Sequence, residues 1–173
     1  MTSNYCFATS AVTSHNFTNQ EIIDSNGFQV TVDVVFSEHE NSEITIGVGQ
    51  ELGFDPNNFA PSNNADATVT VRDNEVEVQV FEAGVLVSST THATPIPAAF
   101  IENVKVDVET SSFAAASPAQ LKVYVNDNPN YVPSTAFHWD GGANHIEVRG
   151  GAGVPDFDLG LPIEIDNLDI RPR

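Results

Sequence analysis

Phe28-Gln29-Val30-Thr31-Val32-Asp33-Val34 alternates apolar and polar side chains without a break. Successive side chains of an extended strand point to opposite faces, so this stretch presents one greasy face and one wet one. The same period recurs in Ala67-Thr68-Val69-Thr70-Val71, Glu75-Val76-Glu77-Val78-Gln79-Val80, Val104-Lys105-Val106-Asp107-Val108, Leu121-Lys122-Val123-Tyr124-Val125 and Ile163-Glu164-Ile165-Asp166. No helical periodicity separates these segments, and parallel strands would need such crossovers. The chain is therefore expected to be all-β: a two-sheet antiparallel β-sandwich, arranged as a jelly roll because that layout shields most sheet edges.

Turn signals divide the strands. Residues 1–26 are rich in Thr, Ser and Asn and are expected to form an N-terminal edge strand, near Cys6 to Val12, and a loop, before Asn26-Gly27 turns into the first strong strand. Glycines in Glu43-Ile44-Thr45-Ile46-Gly47-Val48-Gly49 predict a central strand with a bulge or a close backbone approach. Residues 51–66, crowded with Pro, Asn and Asp, predict a long surface loop. Asp73-Asn74 and Ala83-Gly84 are spaced to close hairpins. Pro118 limits the alanine-rich stretch before it to one turn at most, so no real helix is expected. Around eleven strands in 173 residues make one domain spanning 1–173.

The charge balance excludes partners. Twenty-four acidic residues face six basic ones, a net charge of −18, so nucleic acid and anionic membranes would be repelled. The same acidity favours solubility and discourages self-association. Cys6 is the sole cysteine, which rules out an intramolecular disulfide. No apolar run approaches the roughly 20 residues of a membrane span, and Met1-Thr2-Ser3-Asn4-Tyr5 lacks the pattern of a signal peptide. An excised domain, or a protein that leaves the cell inside an assembled virus particle, fits these features. The expected location is extracellular or on a virion surface.

The order of segments from about residue 26 to 171 resembles the concanavalin A-like lectin and glucanase superfamily, including laminin-G-like domains. The resemblance rests on Gly27 to Val34 with Ile46-Gly47-Val48-Gly49 in the first half. In the second half it rests on Asn103-Val104-Lys105-Val106-Asp107-Val108, Leu121 to Asp127, and the closing Ile165-Asp166-Asn167-Leu168-Asp169-Ile170. It implies a jelly roll that commonly binds glycans and sometimes serves only as a structural or adhesive module.

Three constellations carry chemistry. Glu164-Ile165-Asp166-Asn167-Leu168-Asp169 is similar to the Glu-x-Asp-x-x-Glu strand of laminarinase-like hydrolases, with Asp169 in place of the second Glu. A retaining glycosidase needs two carboxyls roughly 5 to 5.5 Å apart; the shortened Asp169 argues against catalysis, and no catalytic residues are assigned. Trp139, Asp140 and Asn144 combine a flat aromatic face with hydroxyl-binding groups in a Gly-rich turn, and Tyr131 and Asn128 sit on a neighbouring loop. These five are the expected ligand-binding residues, set against a hairpin in which Trp139 is simply core. Asp127 and Asn130, and separately Asp55, Asn57 and Asp66, offer oxygen ligands for calcium; Asx-rich turns account for both sets without an ion. No cofactor is required by this reading.

Three functions follow in order. First is a non-catalytic carbohydrate-binding module; second, a virus surface protein such as a capsid decoration or tail component, partnered by another protein of its assembly; third, a glycoside hydrolase.

Overall fold

A computed structural model describes residues 18–36, 42–49, 65–72, 74–94, 96–97, 100–128, 132–141, 145–152 and 164–173. The first described element is a helix, α1 (Asn19–Ser25), where an edge strand and loop were expected. The reason is local: Thr18 and Glu21 form a capping box, in which the Glu21 amide donates to Thr18 Oγ1 at 3.2 Å and the Thr18 amide to Glu21 Oε2 at 2.8 Å. Asn26, at φ 57°, ends the helix in the left-handed conformation. Ile22 is wholly buried in the core, so packing completes what the cap begins. Thr18→Ala is expected to lower stability by about 1 kcal/mol, read from the midpoint of urea unfolding.

Ten strands follow among the described residues: β1 (Gly27–Val35), β2 (Ser42–Gly49), β3 (Ala65–Arg72), β4 (Glu75–Glu82), β5 (Val85–Ala93), β6 (Asn103–Thr110), β7 (Pro118–Val125), β8 (Thr135–His138), β9 (His145–Ala152) and β10 (Glu164–Pro172). They build two five-stranded antiparallel sheets, sheet A in the order β10-β1-β6-β7-β8 and sheet B in the order β5-β4-β3-β2-β9. The eleventh expected strand, at Cys6 to Val12, lies outside the described residues, as does most of the expected 51–66 loop. Its last two residues, Ala65 and Asp66, belong to β3 instead.

Alternation does what it dictates. Val30, Val32 and Val34 of β1, Val104, Val106 and Val108 of β6, and Val76, Val78 and Val80 of β4 all turn into one core between the sheets. Each such side chain contributes about 1.5–3 kcal/mol on leaving water. Both expected hairpins form, with Asn74 at φ 63° and Ala83 and Gly84 at φ 49° and 76°, the left-handed pair that matches strand twist. β2 is central as expected, and its register shifts at Val48/Gly49.

The pairing also defines the two ends of the sandwich. One end carries Gly49, Ala65, the Ala83-Gly84 hairpin, Pro118 and Trp139-Asp140. The other carries Asn74, Ala93, Asn103 and Val125.

Candidate functional site

The Val-rich faces of β2, β3 and β4 point inward, so the remaining residues of these strands make the outer face of sheet B. Cross-strand pairing sets them in rows: Thr68, Gln79 and Ser89 in one, Thr45, Thr70, Glu77 and Thr91 in the next, and Arg72 with Glu75 beyond. Sequence reading treated these residues only as the wet half of an alternating pattern. Their register now shows one connected polar array.

Arg72 is its centre. Its Nε donates to Glu43 at 2.7 Å, and its Nη1 donates to Glu77 at 2.7 Å and to Glu75 at 3.3 Å. Glu77 Oε1 also accepts from Gln79 Nε2 and Ser89 Oγ, each at 2.9 Å. Burial would lower the Arg72 guanidinium pKa, but the hydrogen bonds and charges of Glu77 and Glu43 together outweigh it and push it up. Burial likewise pushes the Glu77 carboxyl up, and the bonds from Arg72, Ser89 and Gln79 overcome it and hold the carboxyl below its ordinary value. Arg72 and Glu77 therefore stay charged at neutral pH. Arg72 Nη2 has no partner among the described residues. Arg72 remains 37% and Glu75 40% exposed, whereas Thr45, Thr68 and Thr70 are buried on the same face. The open part of the array therefore runs along Arg72, Glu75, Glu77, Gln79 and Ser89.

Trp139 is not part of any open surface. Its side chain is 1% exposed and packs against Phe137 and Phe113, both at 4.9 Å between ring centroids, and against Phe28 at 6.4 Å. Its Nε1–H donates to Thr110 Oγ1 at 3.0 Å. The expected sugar platform is thus a core residue, because the buried hydroxyl of Thr110 gives the indole a polar partner inside the sandwich.

Asp140 is half-buried and acts as a bracket: its Oδ2 accepts the Ala83 amide at 2.6 Å, and its own amide donates to Asp66 Oδ1 at 3.2 Å. Asp66, placed by sequence in a calcium-binding loop, is instead the second residue of β3 and 2% exposed. Burial pushes its carboxyl up to about 6, with the Asp140 amide opposing the rise and the Asp140 charge adding to it. Gly49, at φ 116°, lies against it; a Cβ there would come 2.4 Å from Asp66 Oδ2. That is the close backbone approach which the glycines of β2 signalled.

Asn128 and Asp127 lie at the opposite end of the sandwich. Asn126 and Asp127, at φ 49° and 60°, make a tight turn in which Asn128 bridges back to Val125. β7 separates this turn from Trp139 and Asp140 by about 25 Å of strand, so among the described residues Asn128 does not converge with those two. The Asp127 side chain is 88% exposed and pairs with Lys105 at 3.6 Å. Among the described residues no three His, Cys, Asp or Glu side chains gather as metal ligands. Asn144, Tyr131, Asn130, Asp55 and Asn57 lie outside the described residues.

Asp166 and Asp169 sit on β10, at the edge of sheet A, opposite Asp33 and Thr31. A register shift beside Asn167, at φ 49°, puts both on the outer face, and Asp169 pairs with Arg171 at 3.4 Å. Both are exposed on an open sheet edge.

No protein-family model matches the sequence, and no curated protein matches it. The fold does have counterparts among solved structures. Sheep galectin-11 in complex with glycerol superposes with a TM-score of 0.59 at 13% identity, covering 95% of this chain and 99% of that one. Caenorhabditis elegans galectin LEC-6 gives 0.54 at 11% identity, covering 96% and 95%. The two-sheet antiparallel β-sandwich expected from the sequence is the fold this chain adopts, and it is one it shares with these galectins.

Proposed function

We propose that this protein is a non-catalytic carbohydrate-binding module that takes a neutral, hydroxyl-rich glycan on the outer face of sheet B. The observation that carries the reading is the Arg72-centred array. Sugar hydroxyls both donate and accept, and here fixed carboxylates and the Nη2 of Arg72, which has no partner among the described residues, offer both functions side by side. Three carboxylates surround one guanidinium, so the local charge is negative and an acidic sugar is disfavoured. The outer face of sheet A offers less: its Tyr124 ring is taken by Lys105 at 4.1 Å and Lys122 at 5.4 Å. A fold shared with galectins, one of them in complex with glycerol, a small polyol, is consistent with this assignment.

Arrays of neutral and acidic oligosaccharides are the test. Binding to a neutral class is expected, and Arg72→Ala or Glu77→Gln should weaken it by about 1.5–3 kcal/mol, roughly tenfold to a hundredfold. Binding that survives both substitutions in folded protein would overturn the site. Retention of no glycan of either class by folded protein would overturn the reading itself.

A further inference from the structure

The β4–β5 hairpin is held from outside itself. Ala83 sits at φ 49°, a left-handed conformation that favours glycine over an L-residue with a Cβ. Its amide lies just past the end of β4 and donates to Asp140 Oδ2 at 2.6 Å, a short bond to a carboxylate. β5 is the edge of sheet B and almost all of it is exposed, so the core anchors this turn weakly.

Behind Asp140 lies a carboxyl badly placed for a charge. In the β2–β3 pairing Val48 meets Ala67 and Gly49 meets Ala65, which leaves Asp66 as the extra residue of a bulge. The bulge sets its side chain against Gly49, and the residue is 2% exposed. Among the described residues its carboxyl accepts one hydrogen bond, from the Asp140 amide. A carboxylate taken out of water needs more donors than one, and a second acid beside it disfavours the anion further. The titratable groups on the described segments around it are Asp140, Glu82 at the end of β4, His138 at the end of β8, and His145, which pairs with Gly49 at the start of β9. Residues 44–49 and 111–117 carry none, and no lysine or arginine lies on any of these segments to balance the charge.

Two of the three parts in this chain of bonds are fixed. The segment of Asp140 is pinned to the loop before β7 through the Trp139 amide on the Ser117 carbonyl and the Ala116 amide on the Trp139 carbonyl, with Gly141 close against Ala115. β3 is held between β2 and β4. The hairpin is the part free to move.

We propose that Asp66 and Asp140 form a pH-set latch on the β4–β5 hairpin, closed while Asp66 is protonated and released as it ionises. With the hairpin away, water reaches both acids and Asp66 titrates at its ordinary 3.8; with it closed, burial pushes the carboxyl up to about 6. The closed form is therefore favoured fully below about pH 3.8, and that advantage is lost as pH rises through about 6. If sheet B is the glycan face, as proposed above, the latch sets how firmly β4 and β5, which carry Glu77, Gln79 and Ser89, are joined at this end.

Exchange of the Ala83 amide with water, followed by NMR on the full chain without glycan, tests this, so its outcome stands apart from the binding reading. After correction for the intrinsic rate, protection at Ala83 is expected to fall roughly tenfold to a hundredfold between pH 4 and pH 8. In Asp66→Asn, which keeps an oxygen for the Asp140 amide, it should stay level. The amides of β6, at the centre of sheet A, gauge global unfolding, and Ala83 should exchange faster than they do at every pH. Protection at Ala83 that ignores pH, that falls equally in Asp66→Asn, or that matches the β6 amides would overturn the proposal.

Discussion

Trp139→Ala is expected to destabilise the protein by about 3–5 kcal/mol, a large part of the stability of a domain this size. The residue closes one end of the core, with Phe137 and Phe113 edge-on to it and Phe28 beside them. Truncation leaves a cavity that strands on both sides cannot collapse to fill, since the backbone is pinned there. The Trp139 amide donates to the Ser117 carbonyl at 3.1 Å, and the Ala116 amide donates to the Trp139 carbonyl at 2.7 Å. Trp139→Phe separates the two contributions. It keeps most of the apolar volume but removes the donor to Thr110 Oγ1, so a smaller loss, near 1–2 kcal/mol, is expected. Urea unfolding of the three proteins checks the order. A Trp139→Ala chain as stable as wild type would refute the core assignment. The result also bears on glycan binding, because any loss of binding in Trp139→Ala reflects a loosened sandwich and not a missing contact.

Trp139 shows where sequence reasoning stops. Period-two patterning decides which face of a strand is dry: β7 obeys it throughout, and β1, β4 and β6 bury their alternating apolar residues, with Phe81 and Asp107 buried out of turn. Trp139 lies just past β8, where no period applies, and the fate of its ring depends on Thr110 and Phe113, 29 and 26 residues away. A Trp-Asp-Gly-Gly turn looks the same whether its indole faces sugar or core.

The Arg72 array was hidden for a related reason. Each member is an ordinary polar position in an alternating strand, and only the register of β2, β3, β4 and β5 puts Glu43, Arg72, Glu77 and Ser89 side by side. Register is a non-local property set by hairpins and bulges. Helix α1, by contrast, was available locally. Thr18-Asn19-Gln20-Glu21 has the spacing of a capping box, but the polar composition around it read as loop. Gly49 is the converse: a glycine within a strand predicts a bulge or a close approach from sequence alone, whereas its partner, Asp66, follows a Pro- and Asn-rich stretch that gives no sign of a place in β3.

Asp66 makes the last strong prediction, and its sign is opposite to that of most carboxylates. Its pKa rises from 3.8 to about 6 in the folded chain because burial disfavours the anion. The folded state therefore binds the proton more tightly than the unfolded state between those values. Stability from neutral Asp66 is fully present below about pH 3.8 and is lost as pH rises through about 6. At roughly 1.4 kcal/mol per pH unit, the gap corresponds to about 3 kcal/mol of strain at neutral pH. Asp66→Asn removes the charge but keeps an oxygen for the Asp140 amide. The variant is expected to be more stable than wild type by up to about 3 kcal/mol at pH 8, with the advantage shrinking to nothing near pH 4. Asp140 is the acid that adds to the effect, and its carboxylate is held by the Ala83 amide of the β4–β5 hairpin. Asp140→Asn should therefore reproduce a smaller part of the same gain. Denaturant unfolding of wild type and both variants between pH 4 and pH 8 measures the difference, and an Asp66→Asn advantage that does not grow with pH would show that the carboxyl is ionised without cost.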